Sequence, residues 1–268
     1  MKYTVKDVCK IYKINRETLR YYEKEGLIKP IKDEYNNYRY YDEWEINFIG
    51  ECRKYRSMGF SIQEIKEVLS TDNLEQFIQK VESKQKDIDD QLHFYQMWSK
   101  RNSEYVTDLK NIIPRLGKIE IVDSEPRYIM PYRKQYNQLM DKKTLSAMTD
   151  LMDNHTFVDS MLFIPYDDYI NKTENFYWGF SIRDRWVDAL NFPAEQYIHE
   201  NKQKCICTTI DAGDKGGVNY NLFKDVMTYM EYHRFKLCGD IFGILLTRVH
   251  ENGKYCRYLE MYFPITDA

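Results

Sequence analysis

Arg16, Thr18 and Arg20 alternate along the segment NRETLRYYEKEG, and Tyr38, Arg39 and Tyr40 follow in NNYRYY. If residues 16–25 are helical, Arg16 and Arg20 lie about one turn apart on one face and can enter a major groove together. A guanidinium placed there suits bidentate contact with a guanine edge or a phosphate, and Thr18 stands near the helix start, where base edges are met. Tyr21, Tyr38, Arg39 and Tyr40 offer hydroxyl and guanidinium donors to a phosphate backbone; such contacts position a protein without reading bases. A second constellation lies in RYLEMYFPI. As a strand, it puts Tyr258, Glu260 and Tyr262 on one face and Leu259, Met261 and Phe263 on the other. A carboxylate between two phenol rings attracts an apolar cation, each ring face contributing about 0.5–2 kcal/mol. Tyr177 and Trp178 in NFYWGF add aromatic surface, but strand neighbours face opposite ways, so only one of them can join that face.

Each group has a plainer alternative. Arg20 can pair with Glu17 or Glu23 on its own helix, an interaction of little value in water. Leu19 and Tyr22 suit a small core, and Tyr40 or Tyr41 can be buried beneath a hairpin. Glu260 can be a surface carboxylate, while Tyr177 and Trp178 can be ordinary core. If Glu260 is partly buried, it needs a donor in the free state: Tyr258, Tyr262 or another group.

The elements needed to hold these residues are legible locally. Val8, Ile11 and Tyr12 space a short helix over 7–12; Lys13-Ile14 makes a turn, and Asn15 caps a second helix over 16–25 that stops at Gly26. After Pro30, KDEYNNYRYY reads as a short hairpin with Asn36-Asn37 at its tip. A helix over 42–58 follows, closed by Gly59; Ser61 and Glu64 form a capping box for the next. From Leu74 to Ile113, positions 74, 78, 81, 85, 88, 92, 95, 99, 102, 106, 109 and 113 form a heptad row, uninterrupted by Gly or Pro until Pro114. That is roughly 60 Å of helix, suited to pairing with a second copy, with polar Gln85, Ser99 and Asn102 fixing register. Beyond residue 118, KIEIV, RYIMPYR, SMLFIP, NFYWGFSI, EQYIHE, KCICTTI, DIFGILLTRV and YCRYLEMYFPI read as strands, with helices over 139–154 and 220–234.

With 268 residues, 43% of them hydrophobic and 30% charged, the chain has material for two cores and a connector. The net charge of −3 divides into +2 for residues 1–70 (14 Lys/Arg, 12 Asp/Glu) and −5 for the rest, which permits contact with nucleic acid. No apolar stretch approaches bilayer-spanning length, and the start MKYTVKDVCK lacks a signal core; a cytoplasmic chain without membrane contact is expected. The six cysteines are scattered, with no CxxC, and read as reduced, packed thiols; no cofactor or metal site is expected.

The joint pattern NRETLRYYEKEGLIKP, NNYRYYDEWEI and MGFSIQEI resembles the MerR family of transcription regulators over residues 1–70. The resemblance implies a multidomain chain with three parts. They are an α-dominated winged helix-turn-helix DNA-binding domain (1–72), a long antiparallel dimerisation coiled-coil helix (73–116), and an α+β effector domain (117–268). It implies a homodimer on double-stranded promoter DNA. An effector would distort the promoter centre to bring its elements into register for RNA polymerase, a use of DNA deformability as a switch. Metal-sensing relatives carry cysteines at the ends of the dimer helix; none occurs here between Cys52 and Cys205. Residues 120–268 resemble instead the GyrI-like effector-binding domain of multidrug-sensing members, on the strands RYIMPYR and RYLEMYFPI. That implies a lipophilic, often cationic, small-molecule effector met by Glu260, with Tyr258, Tyr262, Tyr177 and Trp178 as aromatic partners. A second acidic position of the family falls here at Gly243. The alternatives from other classes are a hydrolase of reactive small molecules and a repressor with a vestigial ligand domain.

Overall fold

The computed structural model describes all residues except Met1, Asn36, Asp72, Gln135, Tyr136, 139–141, Lys215, Gly216, Asn252 and Ala268, and leaves aside the side chains at 133, 137, 138 and 142–145. The chain divides into two compact units, Met1–Phe94 and Tyr95–Ala268, and the division falls within one continuous helix.

The first unit opens with β1 (Tyr3–Thr4), α1 (Val5–Tyr12) and α2 (Arg16–Lys24). Helix α1 starts two residues before the apolar spacing indicates, because Thr4 caps it and Asp7 returns the bond as a capping box. Lys13 adopts φ +50 to close α1, and Asn15 caps α2 by accepting from the Thr18 N–H at 2.7 Å. Gly26, at φ +74, follows the end of α2 as expected. The hairpin β2 (Ile31–Lys32) and β3 (Arg39–Tyr41) is the expected wing; β1 joins it to give the order β1-β3-β2. Asn37 turns the hairpin at φ +56, and Asn36 lies outside the described residues. Helix α3 (Glu43–Ser57) is capped by Asp42, and α4 (Ile62–Leu69) by the Ser61–Glu64 capping box. Val8, Leu19, Tyr22, Tyr41, Ile49, Ile65 and their neighbours form one core, against which Phe77 and Val81 of α5 (Leu74–Arg115) pack. Helix α5 runs one residue past Pro114.

In the second unit the strands are β4 (Ile119–Asp123), β5 (Arg127–Lys134), β6 (Asn137–Gln138), β7 (Val158–Ile164), β8 (Tyr177–Arg183), β9 (Ile198–Glu200), β10 (Lys204–Asp211), β11 (Phe235–Leu237), β12 (Ile241–Glu251) and β13 (Lys254–Asp267). The helices are α6 (Lys142–Asp153), α7 (Tyr166–Ile170), α8 (Asp184–Val187) and α9 (Lys224–His233). The first residues of the helix expected over 139–154 lie outside the described ones. The sheet order is β4-β10-β13-β12-β7-β8-β5-β6, with β11 on the end of β13 and β9 on β5. Of EQYIHE only Ile198–Glu200 is strand, because Ala194–Gln196 turns as a 3-10 helix. A bulge between Leu245 and Thr247 in β12 re-aims the strand against β13, and Leu246 is buried there beside Tyr258.

The two faces of this sheet are chemically different. On one, Leu259, Met261 and Phe263 of β13 pack with Trp178 and with Val226 and Met230 of α9. On the other, Ile129, Met161, Phe242 and Ile244 form a smaller cluster against which Tyr177 and Tyr262 rest. Gly243 opposes Met261, and a Cβ there would come 2.1 Å from the Met261 sulfur. Position 243 therefore belongs to the first face, so an acid at that place would not meet Glu260.

Candidate nucleic-acid interface and effector face

In the first unit, α1, α2 and the wing surround a cleft of about 530 Å³ lined by Thr4, Val5, Lys6, Arg16, Arg20 and residues Asn37, Tyr38, Arg39 and Tyr40. Five of the seven residues expected to meet DNA are thus neighbours. Thr18 sits in the first turn of α2, and Tyr21 is exposed on the same helix. Leu19 and Tyr22 are buried, which turns Arg16 and Arg20 outward. Neither arginine makes an ion pair among the described residues. The lining holds four cations, Lys6, Arg16, Arg20 and Arg39, and no carboxylate. Glu23, a candidate partner for Arg20, instead accepts from Arg39 Nη1 at 2.5 Å and from the Tyr41 hydroxyl. Burial, and after it the bond to Glu23, pushes the Tyr41 phenol far above its ordinary pKa, so it remains a donor. This clamp ties the wing to α2. Lys6 escaped the sequence reading because only the β1–β3 pairing brings the start of α1 to the wing.

Glu260 in the second unit is mostly buried and already satisfied. Its Oε1 accepts from Arg115 Nη1 at 2.9 Å, and its Oε2 accepts from the Tyr262 hydroxyl at 2.6 Å. Arg115 also donates to Glu120 at 2.6 Å. Burial, and then the adjacent Glu260 charge, holds the Tyr262 phenol well above its ordinary range. Tyr262 stacks on Phe242 with ring centroids 5.0 Å apart, and the Arg127 guanidinium lies 5.5 Å from the Phe242 ring. Tyr258 turns elsewhere, donating to Glu251 at 3.1 Å and packing with Ile112, Leu246 and Cys256. Tyr177 rests on the same cluster as Tyr262. Trp178, 4% exposed, packs on the opposite face with Leu259 and Met261; the strand's alternation turns it away from the face of Glu260 and Tyr262. Arg115 is the neighbour of Glu260 that the sequence did not reveal.

Asp159 of β7 is the centre of a separate charged cluster. Its Oδ1 accepts from Arg101 Nη2 at 2.6 Å, and its Oδ2 lies 3.4 Å from Arg183 Nε and 4.0 Å from Arg127 Nη1. Arg127 also donates to the Ser181 hydroxyl at 3.2 Å. Desolvation lowers the Arg127 guanidinium pKa below its usual value despite Asp159. Among the described residues, no group of three or more His, Cys, Asp or Glu side chains is arranged to hold a metal, and no helix is long and apolar enough to cross a membrane.

Residues 3–72 match the model of the MerR HTH family of regulatory proteins. The chain is 33% identical over 64 residues to the transcriptional regulator HmrR of Sinorhizobium medicae, covering 24% of this chain and 44% of that one. It is 42% identical over 60 residues to the ZntR homolog of Haemophilus influenzae, covering 21% and 42%. It therefore spans less than half the length of either of these curated transcriptional regulators. A solved EcmrR–DNA complex aligns over 99% of this chain and 100% of that one, at 15% identity and a TM-score of 0.36.

Proposed function

We propose that the chain is a ligand-responsive, DNA-binding transcription regulator that works as a cytoplasmic homodimer on promoter DNA. Its parts are a winged helix-turn-helix domain (1–72), a dimer helix (73–116) and an effector domain (117–268). The observation that carries this reading is the acid-free cleft joining Arg16 and Arg20 of α2 to Tyr38, Arg39 and Tyr40 of the wing. Helix α2 enters the major groove, with Arg20 and Thr18 at base edges; the wing and Tyr21 hold the phosphates. Arg20→Ala is expected to cost about 1–3 kcal/mol on the cognate duplex and to relax its discrimination against random DNA. Wing substitutions that remove charge should weaken all duplexes alike and flatten the salt dependence. Fluorescence anisotropy on both duplexes across a salt series measures this. Equal losses on cognate and random DNA for Arg20→Ala would reassign it to backbone positioning.

The effector domain is proposed to admit a lipophilic cation at Glu260, with Tyr262 and Tyr177 supplying ring surface, and the response to act on the promoter used by RNA polymerase. In the free protein Arg115 occupies the anionic end of that face. A cation must therefore exchange with an internal guanidinium, so it gains less than it would from an unpaired carboxylate. Glu260→Gln keeps the shape and removes the charge. It should weaken binding of a lipophilic monocation such as tetraphenylphosphonium by at least about tenfold, or 1.4 kcal/mol, while leaving operator affinity unchanged. Calorimetry showing unchanged cation affinity in Glu260→Gln would leave only an aromatic pocket.

A further inference from the structure

The largest set of buried charges that the proposed function does not use surrounds Asp159. It borders a cavity of about 470 Å³ within the second unit. Helix α5 forms one wall with Trp98, Arg101, Asn102 and Tyr105; the start of β7 and the β12 bulge form the others. The hydrogen-bonding capacity of this wall is one-sided. Both oxygens of Asp159 face guanidinium groups, at 2.6 Å from Arg101 and 3.4 Å from Arg183. Arg101, only 7% exposed, gives Nη2 to Asp159, but its Nε and Nη1 are buried without a hydrogen-bond partner. Buried polar groups left unpaired cost free energy, and buried guanidinium donors ask for an acceptor, best a charged one. Arg248 adds a further cation at the rim, while Asp159, already engaged, is the acid of the lining. Apolar surface is present beside these donors: the rings of Trp98 and Tyr105, with Leu245 and Leu246 across from them. The volume falls within the range of small-molecule sites, far larger than one inorganic anion requires.

We propose that this cavity binds a small aromatic carboxylic acid, its carboxylate accepting from Arg101 and its ring lying against Trp98. The site is separate from the Glu260 face and selects the opposite charge, so the two readings fail or stand independently. Asn102 belongs both to the cavity and to the heptad row of α5, so an acid bound there touches the helix assigned to dimerisation.

The test is calorimetry on the full-length protein with benzoate, salicylate, phenylacetate and indole-3-acetate, with the matched primary amides and inorganic phosphate as controls. At least one acid should bind below about 1 mM and at least about tenfold more tightly than its amide and than phosphate. Arg101→Gln should remove that preference for acid over amide. Because Arg101→Gln also disturbs Asp159, Trp98→Ala and Arg248→Gln, both at accessible rim positions, provide variants that keep the buried pair. Trp98→Ala should weaken acid and amide together, and Arg248→Gln should weaken the acid more than the amide. No acid binding below about 1 mM, an amide binding as well as its acid, phosphate equalling the acids, or wild-type affinity in Trp98→Ala and Arg248→Gln would each overturn the proposal.

Discussion

Leu92→Asp with Val106→Asp is expected to convert a species of about 65 kDa, twice the 32.5 kDa chain, into one that sediments as a single chain. Both positions lie on the heptad row, and in the single chain both are exposed, Leu92 by 55% and Val106 by 48%. Neither side chain belongs to the cores of the two units, so the substitutions leave the chain's own packing intact. In a paired helix the same positions are desolvated, and each aspartate would bury a charge without a partner, at a cost of several kcal/mol. Leu74, Ile78, Ile88, Tyr95 and Ile113 of the same row are exposed as well, while Val81 and Leu109 pack against the cores of their own units. A monomer presents one recognition helix to an inverted repeat and loses the second half-site, so operator binding should fall with dimerisation. Analytical ultracentrifugation and operator titration check this together. A doubly substituted protein that stays dimeric would refute the pairing through this row.

Asp159→Ala is expected to destabilise the second unit by about 3–5 kcal/mol, the usual consequence of removing one partner from a buried ion pair. The loss is large because one carboxylate serves two buried guanidinium groups: Arg101 at 2.6 Å and Arg127 at 4.0 Å, with Arg183 at 3.4 Å on its outer side. Alanine would leave these cations, one from α5 and two from the sheet, facing one another without a counter-charge. Asp159→Asn keeps a carbonyl acceptor for Arg101 and should cost less. Urea unfolding followed by tryptophan fluorescence reports on this unit, where Trp178 and Trp186 are buried. An unchanged midpoint in Asp159→Ala would mean that the cluster contributes nothing net to stability.

What was readable in advance and what was not divide along a physical line. Caps, turns and periodicity act within a few residues. Asn15 before α2, Gly26 after it, the Ser61–Glu64 box and the unbroken helix α5 were therefore legible. The MerR-type pattern of residues 1–70 was legible for the same reason, because its motifs are contiguous. The alternation of β13 also held, since a strand's side chains have no other way to point. Identity of the neighbour across the fold was not legible. Nothing local relates Arg115 to Glu260, 145 residues away, yet that bond decides how the Glu260 carboxylate is satisfied. Nothing local chooses between Tyr177 and Trp178; the pairing of β8 with β5 and β7 sends Trp178 into the core and Tyr177 to the face of Tyr262. Nor does sequence spacing bring Arg101 to Asp159. By itself the sequence determined the helix-turn-helix, the wing and the length of α5, all products of short-range backbone preferences. Only the tertiary structure decided which charges meet in the second unit, because a buried charge is defined by what surrounds it.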